Sequence, residues 1–203
     1  MATSDTELNR REALRRLAAG AVGVATSPIW TDSLIALARE HAHAQAATGT
    51  MSAAHWTPRV LTPHQNDTVV LLTELIIPQT DTPGAKAVNV NRFIDWVLSS
   101  APGEDRDKFL SGLAWIDEQS TSRYQKDFVS AGGAQQTALL TRLADEANHA
   151  PEDATGVAFF RVIKAMTING YYSTEVGLQQ ELGDDGQLVM GIFKGCDHPE
   201  HQA

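Results

Sequence analysis

The sequence predicts an all-α fold, a single compact bundle of five or six helices with an extended C-terminal tail. Apolar residues recur at helical spacing over several stretches, whereas runs of alternating β-branched residues are nearly absent. Residues that start or stop helices separate these stretches from one another. With 203 residues, 42% of them hydrophobic, the chain is long and apolar enough to bury one core.

The first 46 residues have the organisation of an export signal. Four arginines precede a mildly apolar run over residues 17–25, and two small-x-small patterns that signal peptidase accepts follow at Ala42-His43-Ala44 and Ala44-Gln45-Ala46. Residues 34–39 either extend the apolar region or form an ordinary helix. We therefore predict an export signal over 1–46, a linker over 47–61 and a helical domain over 62–203.

The paired Arg10-Arg11 makes the export prediction more specific. The stretch Asn9-Arg10-Arg11-Glu12-Ala13-Leu14-Arg15 resembles a twin-arginine signal, in which Leu14 and Arg15 match the usual pattern and Ala13 replaces phenylalanine. This route carries folded cargo, so the resemblance implies a periplasmic protein. The alternative is an amphipathic N-terminal helix with a solvated arginine face.

Helix boundaries in the body can be read from capping residues and breakers. Thr62 is expected at the N-cap, Pro63 at the first helical position and Gln65 at the third, which together form a capping box. Pro78 ends this helix, and a turn-rich loop follows. We expect the later helices to begin at about Ala85, at Pro102-Gly103-Glu104, at about Gln135 (running to Asn148) and at Pro151.

Composition excludes several classes of protein. The 16 basic and 25 acidic residues give a net charge of -9, which argues against a nucleic-acid partner, since such binding needs a basic face. One cysteine excludes an internal disulfide and a four-cysteine metal site. No apolar stretch approaches the roughly 18 residues of a membrane span, so no transmembrane segment is predicted.

The sequence offers no convincing active site, and we assign no catalytic, cofactor-binding or metal-binding residue. Nucleophile-elbow, nucleotide-binding, haem-attachment and H-E-x-x-H motifs do not occur. Five histidines are interpreted as surface or capping residues: His41, His43, His55, His64 and His149. Four carboxylate pairs are adjacent in sequence and are interpreted as solvated helix faces: Asp117-Glu118, Asp145-Glu146, Glu152-Asp153 and Asp184-Asp185.

The C-terminal tail leaves two interpretations open. Cys196, His198 and His201 are ligand types that suit zinc or copper, which permits the alternative of a free-standing periplasmic helical metal-binding protein. A partner-facing tail is the other interpretation. In an oxidising compartment the unpaired Cys196 is either a free thiol or one half of an inter-subunit disulfide.

Two stretches and the tail resemble the gluconate 2-dehydrogenase subunit 3 family. The first signature is residues 77–85 (Ile-Pro-Gln-Thr-Asp-Thr-Pro-Gly-Ala), with Val90 and Phe93-Ile94-Asp95 after it. The second signature is Phe159-Phe160, Lys164, Thr167 and residues 170–177 (Gly-Tyr-Tyr-Ser-Thr-Glu-Val-Gly). The tail around Cys196 is similar to that of small subunits from glucoside 3-dehydrogenase systems, although residues 184–187 replace the proline-rich loop of many members.

The resemblance implies a non-catalytic small subunit. Its partner would be a large flavoprotein of the glucose–methanol–choline (GMC) oxidoreductase type, which holds FAD and oxidises a sugar, a glycoside or a sugar acid. Electrons would then pass to a cytochrome c or a quinone. The small subunit would stabilise the flavoprotein and escort it through twin-arginine export, so FAD is expected in the partner and no cofactor in this chain.

Overall fold

A computed structural model describes residues 29–48, 56–145 and 149–184, and these residues fold into an all-α bundle. The six α-helices are α1 (Ile29–Thr48), α2 (Pro63–Ile76), α3 (Val90–Ser100), α4 (Gly103–Tyr124), α5 (Gly133–Ala144) and α6 (Ala154–Tyr172). A 3₁₀ turn (Pro151–Asp153) precedes α6, and a π-helical turn (Val176–Glu181) follows it. These ranges contain no strand, which confirms the predicted fold class; the predicted C-terminal tail lies outside them.

The capping box that begins α2 is confirmed. The Thr62 hydroxyl accepts the Gln65 N–H at 3.3 Å, and the Gln65 side chain accepts the Thr62 N–H at 2.9 Å. Two backbone donors that the first turn would leave unpaired are thereby satisfied. The sequence alone determines this helix start because both partners lie within four residues.

The predicted start of the next helix, at about Ala85, is wrong by about five residues. Residues 85–89 form turns, and α3 begins at Val90. Asn89 adopts a left-handed conformation with φ 58°, which a helix cannot continue through and which asparagine tolerates better than most residues. The boundary therefore follows from the loop before α3 rather than from the apolar pattern within it.

Helix α6 is the centre of the bundle and contacts all five other described helices. Its apolar residues surround the helix axis instead of forming one stripe, which is typical of a fully buried helix. Phe159, Val162, Ile163 and Met166 have no exposed surface. Burial of one such side chain stabilises the fold by about 1.5–3 kcal/mol. Among the described residues, no helix is both long enough and apolar enough to cross a membrane.

Two glycines let α4 and α6 approach closely. A Cβ atom at Gly112 would overlap the ring of Phe159, and a Cβ atom at Gly156 would overlap the ring of Trp115. Phe159 also contacts Phe109 edge to face, with ring centroids 5.1 Å apart. Each glycine thus accommodates an aromatic ring from the facing helix.

Candidate functional site

The two signatures meet at one end of α6, where they form the candidate site. The Tyr171 hydroxyl donates a hydrogen bond to the carbonyl oxygen of Pro83 at 2.8 Å. The Thr82 hydroxyl donates to Oε2 of Glu181, four residues beyond the second signature, at 2.6 Å. The paired residues are 88 and 99 positions apart in sequence, so only the tertiary fold brings the signatures together.

Glu74 organises the loop of the first signature. Its Oε1 accepts the N–H of Gln79 and its Oε2 accepts the N–H of Lys86, both at 2.9 Å. The N–H of Ala85 also donates to the Ile77 carbonyl at 2.9 Å and closes the base of the loop. One carboxylate at the end of α2 therefore holds both sides of the loop, and its charge strengthens the two hydrogen bonds.

Gly84 is required at its position because no space remains for a side chain. A Cβ atom there would lie 2.5 Å from the Gln79 nitrogen and 2.6 Å from both carboxylate oxygens of Glu74. Any larger residue would push the loop off the carboxylate. The glycine of the first signature thus has a steric explanation.

The second signature forms the turn that ends α6. The Thr174 hydroxyl donates to the Tyr171 carbonyl at 2.6 Å and accepts the Gly177 N–H at 3.2 Å. A Cβ atom at Gly177 would overlap the Tyr171 carbonyl oxygen. The Ser173 hydroxyl donates to the Gly170 carbonyl at 2.8 Å. Short polar side chains therefore satisfy the backbone groups that a buried helix end leaves unpaired.

A cleft of about 240 Å³ lies beside the contact between the two signatures, called the joint below. Helix α1, the turn before α3 and the end of α6 line it, with Gln45, Asn89, Arg92, Phe93, Thr174 and Glu175 among its residues. Gln45 is 8% exposed, and its Oε1 has no hydrogen-bond partner among the described residues. The lining of the cleft is partly polar and partly apolar, and it presents no matched acid and base in the described part of the chain.

Asp95, from the first signature, anchors the segment before α2. Its carboxylate is 1% exposed and accepts three backbone N–H groups, from Arg59 at 2.8 Å and from Val60 and Leu61 at 3.0 Å. Trp56, in the same segment, lies 5.3 Å from the guanidinium carbon of Arg92. The residue pattern gave no role to Asp95; an acidic residue between apolar neighbours on α3 is the sign that would have identified it.

The interpretation of Asp153 as part of a solvated carboxylate pair is wrong. Asp153 is 1% exposed and forms an ion pair with Arg142 of α5. Its neighbour Glu152 is exposed, as predicted. The difference arises because α5 packs against α6 and brings Arg142 to Asp153, which the local sequence does not reveal.

His64 has a more specific contact than its surface position suggested. Its Nε2 lies 2.7 Å from Oδ2 of Asp117 on α4, whose Oδ1 accepts the Phe128 N–H at 3.0 Å. The hydrogen bond with Asp117 raises the pKa of His64, and the burial of the ring opposes it more weakly. Half of the His64 side chain is exposed, so the pair is a surface contact between α2 and α4.

Several residues singled out from the sequence lie outside the described residues. They are Arg10 and Arg11 of the leader, His55, and Cys196, His198 and His201 of the tail. Within the described ranges, no group of three His, Cys, Asp or Glu side chains is placed to hold a metal ion.

A family model described as gluconate 2-dehydrogenase subunit 3 matches residues 63–185, which is more than half of the chain and includes both signatures. The chain belongs to this family. The match confirms the resemblance and makes the protein a small subunit of the gluconate 2-dehydrogenase type, with dehydrogenase subunits as its partners. No curated protein and no solved structure matches the chain significantly. In this subunit 3 chain, hydrogen bonds to main-chain groups hold both signatures in place.

Proposed function

We propose that this chain is the non-catalytic small subunit of a periplasmic FAD-dependent sugar dehydrogenase. It stabilises a large GMC-type flavoprotein and escorts it through twin-arginine export. The flavoprotein holds FAD and oxidises a sugar, a glycoside or a sugar acid, as in glucoside 3-dehydrogenase or gluconate 2-dehydrogenase systems. A cytochrome c is the proposed electron acceptor.

The joint between the two signatures is the observation that carries the proposal. Gln79, Thr80, Asp81 and Lys86 are exposed on a loop whose backbone is held by Glu74 and Tyr171. A surface loop that is already ordered loses little conformational entropy when a partner binds it. Hydrogen bonds that fix a loop without forming a catalytic group are what a docking surface requires.

The predicted export signal supports the escort role, and it does so independently of the loop. FAD is loaded in the cytoplasm, so a flavoprotein that carries it must cross the membrane folded. Arg10-Arg11 provides the features of a leader for the route that transports folded proteins. One leader on the small subunit would then serve both chains.

Co-purification from the native host, with a C-terminal tag on this chain, tests the docking proposal. The wild-type subunit is expected to bring down a large chain with flavin absorption bands. Glu74→Gln should reduce the flavin recovered per subunit by roughly tenfold. Glutamine has only one acceptor oxygen, so its NH₂ group would face one of the two backbone N–H groups that the carboxylate accepts. Glu118→Gln on the exposed side of α4 is the matched control and should leave recovery unchanged.

Two results of this co-purification would contradict the docking proposal. A colourless wild-type subunit without a large partner would overturn the proposal and favour the tail-based metal-binding alternative. Equal recovery from Glu74→Gln and Glu118→Gln would show that the partner binds elsewhere.

The export step has its own test. Arg10→Lys with Arg11→Lys should leave the flavoprotein in the cytoplasm, whereas Arg15→Lys with Arg16→Lys should not. Normal periplasmic flavoprotein in the first double variant would exclude the escort role.

A further inference from the structure

Helix α1 lies within the segment that the sequence assigns to export, and both candidate cleavage patterns lie on it. Ala42-His43-Ala44 and Ala44-Gln45-Ala46 belong to the last two turns of Ile29–Thr48. A leader that was removed at either pattern would take nearly all of α1 with it. The structure therefore bears on where the mature subunit begins.

The residue pattern of α1 is that of a helix from a globular protein. Thr31, Leu34, Ala38 and Gln45 are buried at helical spacing, and the first three have no exposed surface. The opposite side carries charge, with Asp32, Arg39 and Glu40 exposed. The apolar region of an export signal has no such polar side, whereas one buried stripe and one charged face are typical of a helix packed on a core.

The contacts of α1 reach three helices of the body. It packs mainly on α6, and also on α4 and α3. Trp30, Leu37 and Ala42 lie against the core beside the buried stripe. Removal of α1 would uncover apolar surface on the central helix of the bundle.

Two side-chain contacts fix the position of α1 along its length. Near its start, the Arg161 guanidinium of α6 donates to Oδ1 of Asp32 at 3.1 Å. Near its end, the His41 ring meets Trp96 of α3 edge to face, with centroids 4.1 Å apart. Burial lowers the pKa of His41, which favours the neutral ring in this contact. Gln45 then reaches the wall of the cleft.

We propose that α1 is retained in the mature subunit and that any cleavage of the leader falls before Ile29. This proposal rests on the proposed export function, because a chain that crosses the membrane folded already has α1 docked when signal peptidase meets it. Proteolysis requires an exposed, flexible segment. The candidate patterns instead lie on a helix packed against the body, where His43 and Ala44 are exposed but Gln45 of the second pattern is buried at 8% exposure.

N-terminal sequencing and intact-mass measurement of the subunit from the periplasm test the cleavage position. The expected chain begins at or before Ile29 and so contains all of α1. A chain that begins at Gln45 or Ala47, after cleavage at either pattern, would overturn the proposal.

A second measurement tests α1 without any need for export. The full chain, produced in the cytoplasm, is unfolded in urea as Leu34→Gln and as Ala36→Gln, a matched change on the exposed side of the same helix. Leu34→Gln should lower the ratio of folded to unfolded chain by more than about a hundredfold, and Ala36→Gln by less than about threefold. Equal effects would show that α1 is dispensable to the fold and would refute the proposal.

The two measurements separate this proposal from the proposed function. Absence of the subunit from the periplasm, with Leu34→Gln still strongly destabilising, would refute export while leaving α1 as part of the body.

Discussion

The Asp95 carboxylate accepts the backbone N–H of Leu61 at 3.0 Å, across 34 residues of sequence. The same carboxylate accepts two further N–H groups from the preceding residues, so three main-chain donors stabilise this buried side chain. The segment before α2 is thus attached to α3 by one side chain. Asp95 belongs to the first signature, and this contact explains its presence there.

Asp95→Asn should destabilise the protein by about 2–4 kcal/mol. Asparagine removes the charge that strengthens three hydrogen bonds and places an amide N–H against a backbone donor in a buried site. Urea unfolding at neutral pH measures the change. Asp107→Asn, on the exposed side of α4, is the control and should change stability by less than about 0.5 kcal/mol. Similar losses of stability in the two variants would contradict a stabilising role for the hydrogen bonds to Asp95.

Tyr171→Phe should loosen the loop of the first signature. The variant removes one hydrogen bond to Pro83 and should cost about 0.5–1.5 kcal/mol of stability. Hydrogen exchange at residues 79–86 should accelerate more than exchange in α4. Tyr124→Phe at the end of α4 is the control, and faster loop exchange in that variant as well would argue against a specific link.

The contact between His64 and Asp117 predicts a pH dependence. Because the folded pKa of His64 is raised, the pair stabilises the fold fully below the unfolded value of about 6.5. This contribution is lost as the pH rises through the raised folded value. It should stay below about 1 kcal/mol, since half of the His64 side chain is exposed.

An NMR titration of the His64 ring checks this prediction. Asp117→Asn should bring the pKa of His64 down, because it removes the carboxylate that accepts the hydrogen bond and raises that pKa. An unchanged His64 pKa in Asp117→Asn would remove Asp117 as the cause.

Gly112→Ala should destabilise the crossing of α4 and α6 by about 1–3 kcal/mol. The added methyl group overlaps the Phe159 ring, which is fully buried and has no space into which it can move. Gly133→Ala at the start of α5 meets no atom within 4 Å and should be neutral or stabilising by up to about 1 kcal/mol. Thermal or urea unfolding of both variants provides the comparison, and equal stabilities would contradict the close crossing.

Local patterns predicted the helical class and the capping box at Thr62, because the residues concerned are neighbours in sequence. They failed where a distant residue decides the structure. The Lys86 N–H donates to Glu74, 12 positions earlier, and the loop held in this way ends at the left-handed Asn89, so residues 85–89 lie outside α3. The burial of Asp153 likewise depends on Arg142 and on the packing of α5. The signatures could be recognised from sequence, but the contact between them could not, since Pro83 and Tyr171 are 88 positions apart.

The central position of α6 has a consequence for the order of events during synthesis. The other five described helices precede α6 in the chain, so none of them can bury its apolar face fully until the ribosome has made the last one. Asp32 can pair with Arg161 only after the ribosome has added Arg161, 129 residues later. At about 5–20 residues per second, this synthesis takes roughly 6–26 s. The N-terminal arginines thus emerge well before the bundle can close.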